Sequence, residues 1–74
     1  MSKLRILAGR DMCKILAQHG FEKVRQKGSH IIMQKQVGNS TLTIPVPDHD
    51  ELRIGTLLGI IRQSELPRSL FETK

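Results

Sequence analysis

Two short glycine turns bracket the apolar stretch from His30 to Val37, and they constrain the fold of this chain more than any other feature. Lys27-Gly28-Ser29 precedes the stretch and Gly38-Asn39-Ser40 follows it. Because glycine adopts a positive φ at little steric cost, both triplets are typical of tight reversals between antiparallel strands. The segments from Phe21 to Lys27 and from Thr41 to Pro45 are then the neighbouring strands, so the sequence predicts a three-stranded antiparallel sheet.

The central strand predicts which residues share a face of that sheet. Side chains alternate between the two faces of a strand. If Ile31 and Met33 face the core, then His30, Ile32 and Gln34 lie on the opposite face. A slip of one residue in the pairing would reverse every side chain, so the sequence does not fix which cationic residues flank the histidine.

Apolar residues at helical spacing occur on both sides of the predicted sheet. They predict a helix from Gly9 to His19, with Gly9 as its N-cap, and a second helix from Ile54 to Gln63. The order helix, three strands, helix is typical of an α+β domain, and we expect both helices on one face of the sheet. Residues 1–74 are expected to form one such domain.

The segment after the third strand is expected to be a polar connection. Pro45 and Pro47 should end strand pairing, because proline has no backbone N–H to donate. Asp48, Asp50 and Glu51 are predicted to form a solvated turn rather than a metal site. We therefore expect neither a metal ion nor a cofactor.

Composition narrows the classes of function. Twelve Lys and Arg against seven Asp and Glu give a net charge of +5, which favours nucleic acids or acidic proteins as partners. With 74 residues and only two aromatic side chains, the small core favours an exposed working surface over a deep cofactor pocket. Cys13 is the single cysteine, so no internal disulfide can form, and we expect packing for this residue and a reducing cytoplasm for the protein. The sequence has no apolar run long enough to span a membrane.

If both helices cover one face of the sheet, the other face is open to solvent and carries His30. Of the side chains expected on that face, His30 is the one best suited to catalysis. A side chain fixed at the start of a strand meets a substrate with little loss of entropy, and histidine titrates near neutral pH, with an unperturbed pKa of about 6.5. Arg25, Lys27 and Lys35 are expected within reach, which would make this face basic. A histidine beside a hairpin can equally be an ordinary surface residue, and the remaining motifs of the chain bear on that choice.

Four motifs in a fixed order give the chain a family resemblance. They are Leu16-Ala17-Gln18-His19-Gly20-Phe21, Lys27-Gly28-Ser29-His30, Thr43-Ile44-Pro45-Val46-Pro47-Asp48-His49, and Gly55-Thr56-Leu57 with Ile60 and Ile61. Together they resemble the HicA (YcfA-like) family across nearly the whole chain. That family comprises small toxins of bacterial and archaeal toxin–antitoxin pairs with a double-stranded-RNA-binding-like fold. The resemblance implies an endoribonuclease that cleaves messenger RNA and is neutralised by a HicB antitoxin.

By this resemblance His30 is the catalytic histidine, and Gly28 and Ser29 form the turn that presents it. Ser29 can orient the imidazole or a phosphate oxygen, or it can hydrogen-bond the backbone of its own turn. The family's usual glycine after the second helix is absent here, where Ser64-Glu65 stands.

Cleavage of RNA needs few groups, because the 2′-hydroxyl of the substrate is the nucleophile. A histidine can remove its proton, and Arg25, Lys27 or Lys35 can bind the RNA and stabilise added negative charge. His49 is a candidate second proton-transfer group, although it can instead have a structural role in its loop. Two alternatives remain at this point: a non-catalytic RNA-binding module with the same basic face, and a surface that an acidic protein covers.

Overall fold

The computed structural model describes residues 3–73 and has two helices packed on one face of a three-stranded antiparallel sheet. The strand order is β1-β2-β3, so the sheet is a simple meander. The order α-β-β-β-α confirms the α+β fold expected from the sequence. The elements are α1 (Gly9–Gln18), β1 (Glu22–Lys27), β2 (His30–Val37), β3 (Ser40–Pro47), α2 (Ile54–Ser64) and a short 3-10 helix (Arg68–Phe71).

Both glycine turns lie where the sequence predicts them. Gly28 has a φ of 60° and Gly38 a φ of 59°, whereas the residue after each has a negative φ. Lys27 pairs with His30 across the first turn, which leaves a two-residue hairpin loop. A glycine with positive φ at the first loop position is the pattern of the type II′ turn, whose twist matches that of paired strands.

The hydrophobic core lies between the sheet and the helices. Ile31 and Met33 are buried on the helix-facing side of β2, while His30 on the opposite face is exposed and Ile32 and Gln34 there are half-buried. The predicted facing of the central strand is therefore confirmed. The other buried apolar side chains are Leu7, Met12, Leu16, Phe21, Ile44, Val46, Leu52, Leu57, Ile60, Ile61 and Phe71.

The expectation that Pro45 and Pro47 end strand pairing is wrong. β3 extends through both prolines, with Pro45 opposite Ile32 and Pro47 opposite His30. β3 is an edge strand, and alternate residues of an antiparallel edge strand direct their backbone nitrogen away from the sheet. The prolines occupy these outward positions, where no N–H is needed for the ladder.

The start of α1 also differs from the prediction. The N-cap is Ala8 rather than Gly9, and the backbone N–H of Ala8 donates to the Asp11 carboxylate over 3.2 Å. Gly9 is the first helical residue, and its N–H donates to the carbonyl of His49 over 2.9 Å. A Cβ atom at position 9 would collide with the carbonyl oxygen of Pro47. Glycine is needed here because two backbone segments approach closely.

The end of α2 is capped without glycine. Glu65 adopts the left-handed conformation, with φ 59° and ψ 21°, in the pair Ser64-Glu65, where the resemblance leads us to expect a glycine. Ser64 is buried, and its hydroxyl donates to the carbonyl of Ile61 over 2.7 Å while accepting the N–H of Leu66 over 3.1 Å. The serine hydroxyl thus satisfies backbone groups at a helix end that has a strained residue.

Replacing Glu65 with glycine should raise the free energy of unfolding by about 1 kcal/mol, because glycine lacks the Cβ that disfavours positive φ. Urea denaturation followed by circular dichroism measures the change. Glu65→Ala is the matched control, since it removes the same carboxylate but keeps a Cβ at φ 59°. An equal gain from alanine and glycine would contradict the backbone explanation.

The two ends of the described chain pair with each other. Leu4 forms an antiparallel bridge with Glu72, and the N–H of Arg5 donates to the carbonyl of Phe71 over 2.9 Å. Phe71 is fully buried. Within residues 3–73, no helix has the length and apolar character needed to cross a membrane.

Candidate active site

His30 occupies the first position of β2, beside the Gly28 turn, with its side chain exposed. Its cross-strand neighbours are Lys27 on β1 and Pro47 on β3. Directly paired residues of antiparallel strands project from the same face, with Cβ atoms roughly 5 Å apart. Lys27, His30 and Pro47 therefore form a first row across the face that the helices leave uncovered, called the open face below.

A second row lies one step further along the strands. Arg25 pairs with Ile32, and Ile32 pairs with Pro45. Each row has a cation on β1 and a proline on β3. The residue between them on β2 is His30 in the first row and Ile32 in the second. Around His30 and Ile32 the open face is therefore cationic on the β1 side and apolar on the β3 side, whereas the next row has Glu22 on β1, Gln34 on β2 and Thr43 on β3.

The expected grouping of Lys35 with His30 is not what the structure shows. Lys35 lies on the helix-facing side of β2, where it pairs with Leu42. Its ammonium group is 5.7 Å from the centroid of the buried Phe21 ring, and its side chain runs along Gly20 at the end of α1. Lys35 follows Met33 at a spacing of two, so the alternation of the strand assigns both to one side.

The open face is concave around His30. A shallow depression of about 490 Å³ is lined by Lys27, Gly28, His30, Ile32 and Pro45. Four of the side chains in the two rows thus line a single surface together with the turn glycine. The sequence predicts His30, Lys27 and Gly28 for this site and places Ile32 on the same face, but it assigns neither Ile32 nor Pro45 a role in the site.

Backbone contacts fix the turn that presents His30. The N–H of Asp48 donates to the carbonyl of Ser29 over 2.6 Å, which extends the pairing of β2 and β3 past Pro47. The next residue, His49, accepts the N–H of Gly9. The turn is therefore held by the segment 47–49, and α1 holds that segment in place.

Asp48 is not part of a solvated turn, contrary to expectation, although Asp50 is fully exposed. The Asp48 carboxylate is partly buried, and its Oδ1 lies 3.8 Å from the Arg10 guanidinium with no hydrogen-bond partner among the described residues. Burial raises the pKa of the nearby Cys13 thiol, the Asp48 carboxylate raises it further, and Lys23 opposes both effects. The thiol thus stays protonated at neutral pH, which is consistent with a packing role and not with a nucleophile.

The other two histidines are not among the residues that line the depression. His19 is the C-cap of α1 and is half-buried, and the side chain of His49 is exposed in the loop after β3. Within residues 3–73, no three side chains of His, Cys, Asp or Glu are grouped closely enough to hold a metal ion.

These features define a small α-β-β-β-α protein that displays one rigidly placed histidine on an open, cationic sheet face. The model of the HicA toxin family of bacterial toxin–antitoxin systems matches residues 9–66, and the chain belongs to this family. Membership indicates the toxin of a toxin–antitoxin pair, and hence an antitoxin partner. Comparison with curated proteins and with solved structures gives no match.

Proposed function

We propose that this protein is a metal-independent endoribonuclease that cleaves messenger RNA in the cytoplasm. The observation that carries the proposal is the position of His30 between Lys27 and Pro47 on the open face. An exposed imidazole on a paired strand, beside cations, suits proton transfer at a phosphodiester. Membership of a toxin family supports an activity that harms the cell when it is unopposed.

In the proposed reaction, His30 removes the proton from a ribose 2′-hydroxyl. The 2′-oxygen then forms a bond to the adjacent phosphorus, and the bond from phosphorus to the 5′-oxygen breaks. The products are a 2′,3′-cyclic phosphate and a 5′-hydroxyl, whose proton comes from water or from His49. Lys27 and Arg25 stabilise the extra negative charge that the phosphoryl group carries in the transition state.

The proposal also assigns roles to the remaining site residues. Gly28 forms the turn that presents His30, and the Ser29 hydroxyl contacts a phosphate oxygen at the edge of the site. Lys35 lies on the other side of the sheet, over Phe21, so its contribution to RNA binding is the least direct of the cations. We further propose that a HicB-type antitoxin neutralises the protein by covering the open face with acidic groups, which would compete with RNA.

The test is cleavage of a labelled single-stranded RNA in the presence of EDTA. We expect cleavage products with 2′,3′-cyclic phosphate ends, because the attacking group belongs to the substrate. The matched control is the same oligonucleotide with 2′-deoxyribose throughout, which should bind but remain intact.

Binding without cleavage of either oligonucleotide would contradict the nuclease proposal. It would favour the second candidate, a non-catalytic RNA-binding module. The feature that supports this candidate is that cations along β1 attract phosphates whether or not His30 transfers a proton.

A further inference from the structure

We propose that Ile32 and Pro45 form a platform for a nucleobase, so that single-stranded RNA crosses the open face with its phosphates over β1 and its bases over β3. The inference rests on the ribonuclease function proposed above and adds the orientation of the substrate. Its basis is the cross-strand pairing of the residues around His30.

The platform is an apolar surface that no part of the described chain covers. Ile32 and Pro45 are direct cross-strand partners on the face opposite the helices, and both line the depression beside His30. Pro45 is exposed and Ile32 is half-buried. Apolar side chains that meet in a surface depression without a covering element are suited to contact with a ligand.

In the two rows that contain His30 and Ile32, the charge of the open face differs between its two edges, and the carboxylate of β1 on this face, Glu22, lies one row further away opposite Gln34. On the β1 side, the partners of His30 and Ile32 are Lys27 and Arg25. On the β3 side, their partners are Pro47 and Pro45. Phosphates are attracted to the first edge, and the flat faces of bases gain contact with the second.

This difference between the two edges accounts for the position of His30 on β2, between them. In a nucleotide the ribose joins the phosphate to the base. A strand with phosphates over β1 and bases over β3 therefore has its riboses over β2, which is the strand that carries His30. The 2′-hydroxyl is then delivered to the imidazole by contacts on both sides.

Aromatic stacking is not the means of base binding on this face. Phe21 and Phe71 are the two aromatic residues of the sequence other than histidine, and both are buried in the core, with 2% and 0% exposure. Apolar contact with an isoleucine and a proline ring is what the open face offers instead. Such contact discriminates weakly among bases, so the platform serves orientation more than sequence choice.

The test compares two probes that the protein cannot cleave. One is an eight-nucleotide 2′-O-methyl RNA of mixed sequence, and the other has the same backbone with abasic sites at its four central positions. We expect the protein without substitutions to bind the complete probe about three- to tenfold more tightly than the abasic probe. This ratio is smaller than aromatic stacking would give. Ile32→Thr and Pro45→Thr should each move this ratio towards one, while the salt dependence of binding stays unchanged.

Two control variants separate the platform from other effects. Lys27→Gln should weaken binding of both probes by the same factor and lower the slope of log K against log salt by about 1. Thr41 lies on the same strand as Pro45, opposite Gln36. Thr41→Ala should leave the ratio of the two probe affinities unchanged. Circular dichroism checks that each variant is folded. If Ile32→Thr destabilises the protein, Pro45→Thr still tests the platform, because Pro45 is exposed on an edge strand.

The outcomes distinguish this inference from the function on which it rests. A ratio near one for the unmodified chain, or a ratio that survives both platform variants, overturns the platform even if RNA is cleaved as proposed. Failure to bind either probe, together with failure to cleave RNA, overturns both proposals.

Discussion

Replacing His30 with alanine is expected to lower the rate of RNA cleavage by about 10²- to 10⁴-fold, the usual contribution of a positioned general acid or base. The loss should appear in kcat rather than in RNA affinity, because the proposal assigns the attraction to phosphate to Lys27 and Arg25. Single-turnover cleavage of a labelled RNA, with binding measured in parallel, separates the two quantities. An equal loss of affinity and rate would instead assign His30 to binding.

His19 provides a matched control for this experiment, whereas His49 is the candidate for a second proton-transfer group. His19→Ala changes a helix end away from the depression and should retain the cleavage rate. His49→Ala tests the second proton-transfer group, and a loss close to that of His30→Ala would give His49 a catalytic role. Because the His30 side chain is exposed, we expect His30→Ala to change the free energy of unfolding by at most about 0.5 kcal/mol. Thermal unfolding of this variant should therefore be unchanged.

Gly9→Ala is expected to lower the free energy of unfolding by about 1–3 kcal/mol, the typical cost of overpacking. The added methyl group would meet the carbonyl of Pro47, which is backbone and cannot rotate away. Either α1 or the segment 47–49 must move, and the hydrogen bond from Gly9 to His49 would be strained. Because the N–H of Asp48 holds the Ser29 carbonyl, cleavage should also fall at temperatures where the variant is folded.

Gly59→Ala is the matched control for that substitution. A Cβ at position 59 would meet no atom within 4 Å, so alanine should stabilise α2 by about 1 kcal/mol through its higher helix propensity. Urea denaturation measures the free energy of unfolding of both variants, which should fall for Gly9→Ala and rise for Gly59→Ala. Stabilisation by alanine at both positions would show that the close approach at Gly9 is not a constraint.

The secondary structure was predictable because its signals are local. Alternating apolar residues gave β2 and its two faces, and Gly28 and Gly38 gave the turns with positive φ. The helices were predictable from apolar spacing for the same reason. His30 was a candidate from the start because the turn and the strand fix its position without reference to distant residues.

The composition of the site was less predictable, because it depends on pairing between strands. A bulge between Lys23 and Arg25 shifts the β1 register, so the imperfect alternation of that strand did not show which of its residues share a face. Charge alone predicts Lys35 near His30, but the alternation of β2 places it on the helix side. The sequence pattern predicts strand ends at the prolines, since it does not show that β3 is an edge strand with outward positions that tolerate them.

Local patterns specify the order of elements, the two turns and the exposure of His30, because each depends on residues within a few positions of one another. The placing of cations on one side of His30 and prolines on the other depends instead on strand pairing. Long-range packing likewise places α1 against the segment 47–49 and pairs Leu4 with Glu72. These contacts join residues distant in the chain, and their geometry follows from strand register and packing, which local sequence patterns do not encode.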